Sequence, residues 1–223
     1  MSKENSATPT ERVYMTMEEV YTVDKAATAE FTVKRSRFIA NLCHVETAAA
    51  AKEFLLKQKK TYYDARHNPY AYVLGRRRSE KKSGDDGEPA GTAGSPILDA
   101  IEKNNLTDVI IVVTRYFGGI KLGAGGLTRA YNQGAVLGIQ AAQLLKMTEK
   151  IPLRLTIDYS LFGTLEHWAG SRNIPIQNIS YGEGVSLTLL MPSDTDFTRE
   201  IIDLTAGRLK WEKLPPTIIF LPD

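Results

Sequence analysis

The stretch from Ser83 to Gln143 constrains this chain most: SGDDGEPAGTAGSPILDAIEKNNLTDVIIVVTRYFGGIKLGAGGLTRAYNQGAVLGIQAAQ. Two glycine-rich loops bracket one apolar run, and each loop opens into a helical pattern. The run Val109–Val113 is β-branched throughout, which suits a strand covered on both faces. The first loop, residues 84–94, holds Asp85, Asp86, Gly87, Glu88, Gly91, Thr92 and Gly94. The second, residues 117–126, holds Gly118, Gly119, Gly123, Gly125 and Gly126. Glycines this dense imply positive φ angles or close approach of the backbone to something. Loops held between regular elements are where function concentrates.

A helix N-terminus preceded by glycines offers unpaired N–H groups and a positive dipole end, which together suit phosphate. The second loop opens a long helix expected over Gly123–Met147, with Arg115, Lys121 and Arg129 close by in sequence. The first opens a helix for which Ser95 is the expected cap and Pro96 the first turn. The same glycines also suit tight turns and close helix–sheet packing, and the residues alone leave both readings open. Asp85, Asp86 and Glu88 suit Mg²⁺ with water and a phosphate substrate; without a Walker-type Lys-Ser/Thr they better suit turn capping and balance against the basic run Arg76–Lys82. There is no nucleophile elbow, no Cys/His metal spacing and no Walker-type Lys-Ser/Thr. No catalytic residue, metal site or cofactor is therefore expected.

Upstream, residues 1–12 are polar and expected to be disordered. Val13–Val23 reads as a first strand, and Ala29–Val33 and Phe38–Val45 as half-buried strands. Lys34, Arg35 and Arg37 form a basic turn between the latter two. That turn is either a solvated hairpin tip or an anion contact. An amphipathic helix over Glu46–Lys60 and a strand over Tyr70–Gly75 follow. His67, between them, lacks acidic or Cys companions at ligand spacing and reads as structural. Arg76–Lys82 reads as an exposed loop. Gly134 and Gly138 share one helix face, which implies close contact with a sheet. Ile151-Pro152 marks an expected boundary. Beyond it the pattern is βαββαβ, the split arrangement of ferredoxin-like domains.

Composition excludes some classes. No apolar run approaches the roughly 20 residues of a membrane span, and the polar N-terminus does not read as a secretory signal. The single Cys43 reads as a small apolar strand residue in a reducing, cytoplasmic setting. Residues 152–223 carry 6 basic against 9 acidic side chains, and residues 1–151 carry 22 against 17. An anionic partner therefore suits the half that holds the glycine loops.

DDGEPAGTAGSPIL followed by VVTRYFGGIKLGAGGLTRAY resembles the signature of the YigZ/IMPACT family. KRSRFIA at Lys34–Ala40 and DARHNPYAY at Asp64–Tyr72 resemble its two upstream motifs. The resemblance implies an α+β, two-domain fold: a ribosomal-protein-like βα N-terminal domain over 14–151, then a ferredoxin-like βαββαβ C-terminal domain over 152–223. The latter is similar to the C-terminal domain of elongation factor G. Eukaryotic members oppose a stress-activated kinase of translation initiation by competing for its ribosome-associated activator. The resemblance thus implies a translation-linked regulatory role. RNA, the ribosome or a protein partner in translation control is expected, and no membrane. The expected anion-binding set is Lys34, Arg35, Arg37, Arg115, Lys121 and Arg129, with the two loops at its centre. The alternative is a phosphate- or nucleotide-binding enzyme using both loops with Mg²⁺.

Overall fold

The computed structural model describes residues 19–222. The expectations for residues 1–18, including the beginning of the first strand, lie outside the described residues. The apolar run becomes β6 (Val109–Tyr116). It is the third of five strands, in the order β2 (Ala27–Val33), β3 (Ser36–His44), β6, β4 (Tyr70–Leu74), β5 (Glu80–Gly84), with every neighbouring pair antiparallel. Strand alternation divides the β6 side chains between two cores. Val109, Ile111 and Val113 pack with α2 (Gly94–Lys103) and α3 (Ala124–Ala141); Ile110 and Val112 pack with α1 (Ala48–Thr61). The expected contact between the helix glycines and the sheet is present. A Cβ on Gly134 would meet Val113 Cγ1 at 3.1 Å, and one on Gly138 would meet Ala40 Cβ at 3.2 Å.

Two expectations are corrected. The long helix ends at Ala141, not Met147, and Leu144–Ile157 is a 14-residue strand, β7. Tertiary pairing overrides helix propensity here, because this segment is the spine of the second sheet. Met147 lies between Val20 of β1 (Val20–Val23) and Phe220 of β11 (Thr217–Pro222). Leu153 lies between Leu189 of β9 (Val185–Pro192) and Lys213 of β10 (Leu209–Lys213). Ile151-Pro152 is inside this strand, where one edge passes from β11, paired to 145–150, to β10, paired to 153–157. A proline inside a strand needs such an interruption of the ladder. The second correction concerns Arg76–Lys82. Glu80–Lys82 belong to edge strand β5, Arg76 pairs with Glu149 at 2.9 Å, and Arg78 Nη2 donates to the Glu102 carbonyl.

From β7 onward the order is β7, α4 (Tyr159–Ser171), β8 (Ile176–Tyr181), β9, α5 (Thr198–Leu204), β10. The strands lie in the spatial order β8-β9-β7-β10, all antiparallel, which is the ferredoxin-like arrangement. Leu153, Leu155, Ile157, Leu165, Trp168 and Leu187 form its separate core. Among the described residues, no helix is long and apolar enough to cross a membrane.

Candidate functional site

The β2–β3 hairpin, the first glycine loop and the second glycine loop meet at one end of the five-stranded sheet. Val33 pairs with Ser36, so Lys34 and Arg35 form a two-residue turn, with φ of 44° and 63°. Positive φ at both central residues marks a type I′ hairpin turn, where asparagine and glycine normally supply it. Two long cationic side chains held there are strained, and such strain collects at functional sites. The second loop buttresses the turn: Gly118 N donates to Ser36 Oγ at 3.2 Å. Gly118 lies flat against the Arg35 backbone, where a Cβ would collide with its carbonyl group.

Arg115 does not reach this surface. It faces inward two residues beyond Val113, with its side chain only 7% exposed. Its Nη1 donates to Glu88 Oε1 at 2.7 Å, and the Tyr131 hydroxyl donates to the same oxygen at 2.7 Å. Glu88, from the first loop, is equally enclosed. Burial and then the Glu88 carboxylate push the Tyr131 phenol strongly upward, so it remains a donor. The guanidinium also lies over Phe38, its cross-strand neighbour, at 5.6 Å, and over Phe117 at 5.5 Å. Expected as an anion contact, Arg115 instead ties the first loop to β6 and α3.

The first loop turns its other carboxylates inward as well. Asp85 Oδ1 accepts from Ala93 N at 3.0 Å and Gly94 N at 2.8 Å, and Oδ2 from Gly91 N at 2.8 Å. The anion cradle foreseen at the α2 N-terminus therefore exists, and the chain's own Asp85 fills it. Ser95, the expected cap, is the second helical residue. Asp86 accepts from Asn68 N at 2.7 Å and Lys59 Nζ at 2.5 Å, and its carbonyl bonds His67 Nδ1 at 2.9 Å. His67 is thus structural. Thr92 Oγ1 donates to the Pro89 carbonyl. Asp85, Asp86 and Glu88 each serve a different internal partner, and no cluster of metal-ligating side chains occurs among the described residues.

Burial pushes the Asp85 carboxyl up, and the N–H groups of Gly91, Gly94 and Ala93 outweigh it and hold it below the usual carboxylate range. Its contribution to stability is complete above the unfolded-state value near pH 4 and is lost as pH falls through the lower native value. Asp85→Ala should cost about 0.5–2 kcal/mol at neutral pH, as loss of an N-terminal cap does. Denaturant titrations should show that deficit narrowing under acid; a constant deficit would refute the capping role.

Among the described residues, no side chain caps the helix that the second loop opens. Gly123 caps α3 at φ 72° without a side-chain bond. Gly119 also has positive φ, at 84°. Lys121 is exposed, and the Arg129 guanidinium folds back over the first helical turn, where a Cβ on Gly125 would meet Nη1 at 3.6 Å. Gly126 lies against the Leu122 side chain. Of the six expected cations, Lys34 and Arg35 lie on the tip that Gly118 contacts, and Lys121 and Arg129 on the same loop and its helix. Arg37 is exposed but paired with Glu30 at 2.6 Å. Beside them the Asp64 carboxylate accepts from Tyr116 and pushes its phenol up to about 12.

This end of the molecule coincides with a known domain. Residues 34–139 match the Impact N-terminal domain, and residues 155–208 match a domain of unknown function, DUF1949. IMPACT family member YvyE of Bacillus subtilis is 38% identical over 84% of this chain and 88% of its own. The chain belongs to the IMPACT family. Family member YigZ of Escherichia coli is 36% identical over 80% of this chain and 89% of its own. A crystal structure described as that of an hypothetical protein aligns with TM-score 0.58 and 31% identity, covering 89% of this chain and 98% of that one. The Impact match begins at Lys34, in the hairpin turn, and covers β3, both loops and most of α3. Within this IMPACT domain two features escaped the sequence reading: the Glu88–Arg115–Tyr131 network and the exposure of Phe117. Strand alternation carries a signal for the first, since it places Arg115 on the face of Val109, Ile111 and Val113.

Proposed function

We propose that this IMPACT-family protein is a cytoplasmic, translation-linked regulator that binds RNA, free or on the ribosome, through the hairpin tip and the second glycine loop. A charge asymmetry carries this reading. The carboxylates of the first loop are all satisfied internally. Lys34, Arg35, Lys121 and Arg129 make no ion pair among the described residues. The side-chain-free N-terminus of α3 adds partial positive charge at the same place. Phosphodiester backbones supply the matching charge and give affinity without reading sequence. The nucleotide–Mg²⁺ alternative is disfavoured because the carboxylates it needs are engaged elsewhere.

The protein should sediment with ribosomes at low salt and leave them as salt rises, while ATP or GTP with Mg²⁺ should not shift its melting temperature. Lys121→Ala should weaken binding to all RNA sequences alike and flatten the plot of log affinity against log salt by roughly 0.7–0.9, one phosphate contact. An unchanged slope in a folded Lys121→Ala protein would remove that residue from the surface. Absence of both ribosome and RNA binding would leave a protein partner in translation control as the reading to pursue.

A further inference from the structure

Phe117 is 52% exposed at the start of the second loop, yet it is not loose. It is the outermost member of a column that begins in the core. Phe31 and Phe38 stack with centroids 5.2 Å apart and planes at 16°. The Arg115 guanidinium lies 5.6 Å from the Phe38 centroid and 5.5 Å from that of Phe117. Glu88 fixes that guanidinium from the side, and Tyr131 fixes Glu88. Phe117 thus rests against a buried cation tied to Glu88. Around the ring are the hairpin carrying Lys34 and Arg35 and the loop carrying Lys121. A large exposed apolar side chain backed by a buried guanidinium within a cationic surface fits a ligand with flat apolar faces joined by negative charges.

We propose that Phe117 is a stacking platform for an unpaired nucleobase, so that the surface selects single-stranded over double-stranded RNA. This rests on the RNA-binding reading above and adds the substrate class to it. In a duplex both faces of each internal base are already stacked, and only base edges, 2′-hydroxyls and phosphates remain accessible. In a single strand every base has a π-face to offer, so an aromatic plate beside phosphate-binding cations is sequence-tolerant and strand-selective. Arg115, charged and sandwiched, orients the plate without touching the ligand.

The test compares a short oligouridylate with the blunt duplex it forms with oligoadenylate, using the full chain over a salt series. Wild type should bind the single strand more tightly than the duplex. Phe117→Ala and Phe117→Leu should each weaken single-strand binding roughly five- to hundred-fold, the effect of losing one stacked base. Phe117→Trp should retain it, and its added indole should change fluorescence on binding. None should alter the salt slope, since no charge is removed, whereas Lys121→Ala should. Thermal melts confirm folding. Equal affinity for single strand and duplex, or single-strand affinity unchanged in Phe117→Ala, would overturn the platform while leaving the basic surface standing. If wild type binds neither RNA, the platform falls together with the reading on which it rests.

Discussion

Replacing Arg115 by alanine should destabilise the protein by about 3–5 kcal/mol, the usual result of leaving one member of a buried ion pair without its partner. For a chain of this size that is a melting temperature lower by roughly 6–20 °C. Both side chains are enclosed, 7% exposed for Arg115 and 4% for Glu88. Removal of the guanidinium would leave the carboxylate with the Tyr131 hydroxyl as its one remaining donor among the described residues. Glu88→Ala should cost a comparable amount for the converse reason. The double replacement Arg115→Met with Glu88→Leu should be milder than either single one, because it removes both charges while roughly filling the space. By contrast, Lys121→Ala should stay within about 0.5 kcal/mol of wild type, as surface changes do. Denaturant midpoints for these proteins decide the matter. An Arg115→Ala protein as stable as wild type, with a flatter salt dependence of RNA binding, would return Arg115 to the anion-binding surface.

This arginine also marks how far the sequence could be read. Elements with one strong period were legible: Val109–Val113 as a doubly covered strand, the hairpin around Lys34-Arg35, and the βαββαβ order of the second half. So was the closeness of Gly134 and Gly138 to the sheet. What was not legible depends on partners far apart in sequence. Arg115 was grouped with exposed cations because it adjoins a glycine loop, and nothing local points to Glu88, 27 residues earlier, or Tyr131, 16 later. Asp85 shows the same difficulty. The residues left the helix N-terminus behind glycines open between a phosphate cradle and a tight turn, and offered Asp85 as a turn cap without naming its partners; the groups it caps include Gly94 N, nine residues on. The strand Leu144–Ile157 was divided among a helix, a boundary and the first strand of the βαββαβ pattern, because Leu144–Met147 continues the apolar pattern of the preceding helix. Only pairing with β1 and β11, at opposite ends of the described chain, makes it extended.

Gly118→Ala tests whether the hairpin tip and the second loop act as one surface. A methyl at Gly118 would lie within the van der Waals envelope of the Arg35 carbonyl carbon and oxygen and 2.5 Å from Ser36 N. These are backbone atoms of a two-residue turn, so no side chain can rotate away to make room. Gly118 is not among the positive-φ glycines, so the cost comes from the collision and not from alanine's own conformational preference. Overpacking of this kind costs typically 1–3 kcal/mol and occasionally more. Relief requires the loop to lift from the hairpin, and two consequences follow. The Ser36–Gly118 hydrogen bond should be lost, with faster amide exchange at residue 118. The strained pair Lys34-Arg35 should also lose its buttress, and the four cations that make no ion pair among the described residues should no longer be held together. RNA affinity should then fall further than in Lys121→Ala, although no charge has been removed. Gly119→Ala is the matched control: its φ of 84° disfavours alanine, but nothing lies within 4 Å of the added methyl. It should strain the loop without displacing the hairpin. If Gly118→Ala and Gly119→Ala lose the same stability and affinity, loop conformation alone accounts for the effect, and the contact with Arg35 does not organise the surface.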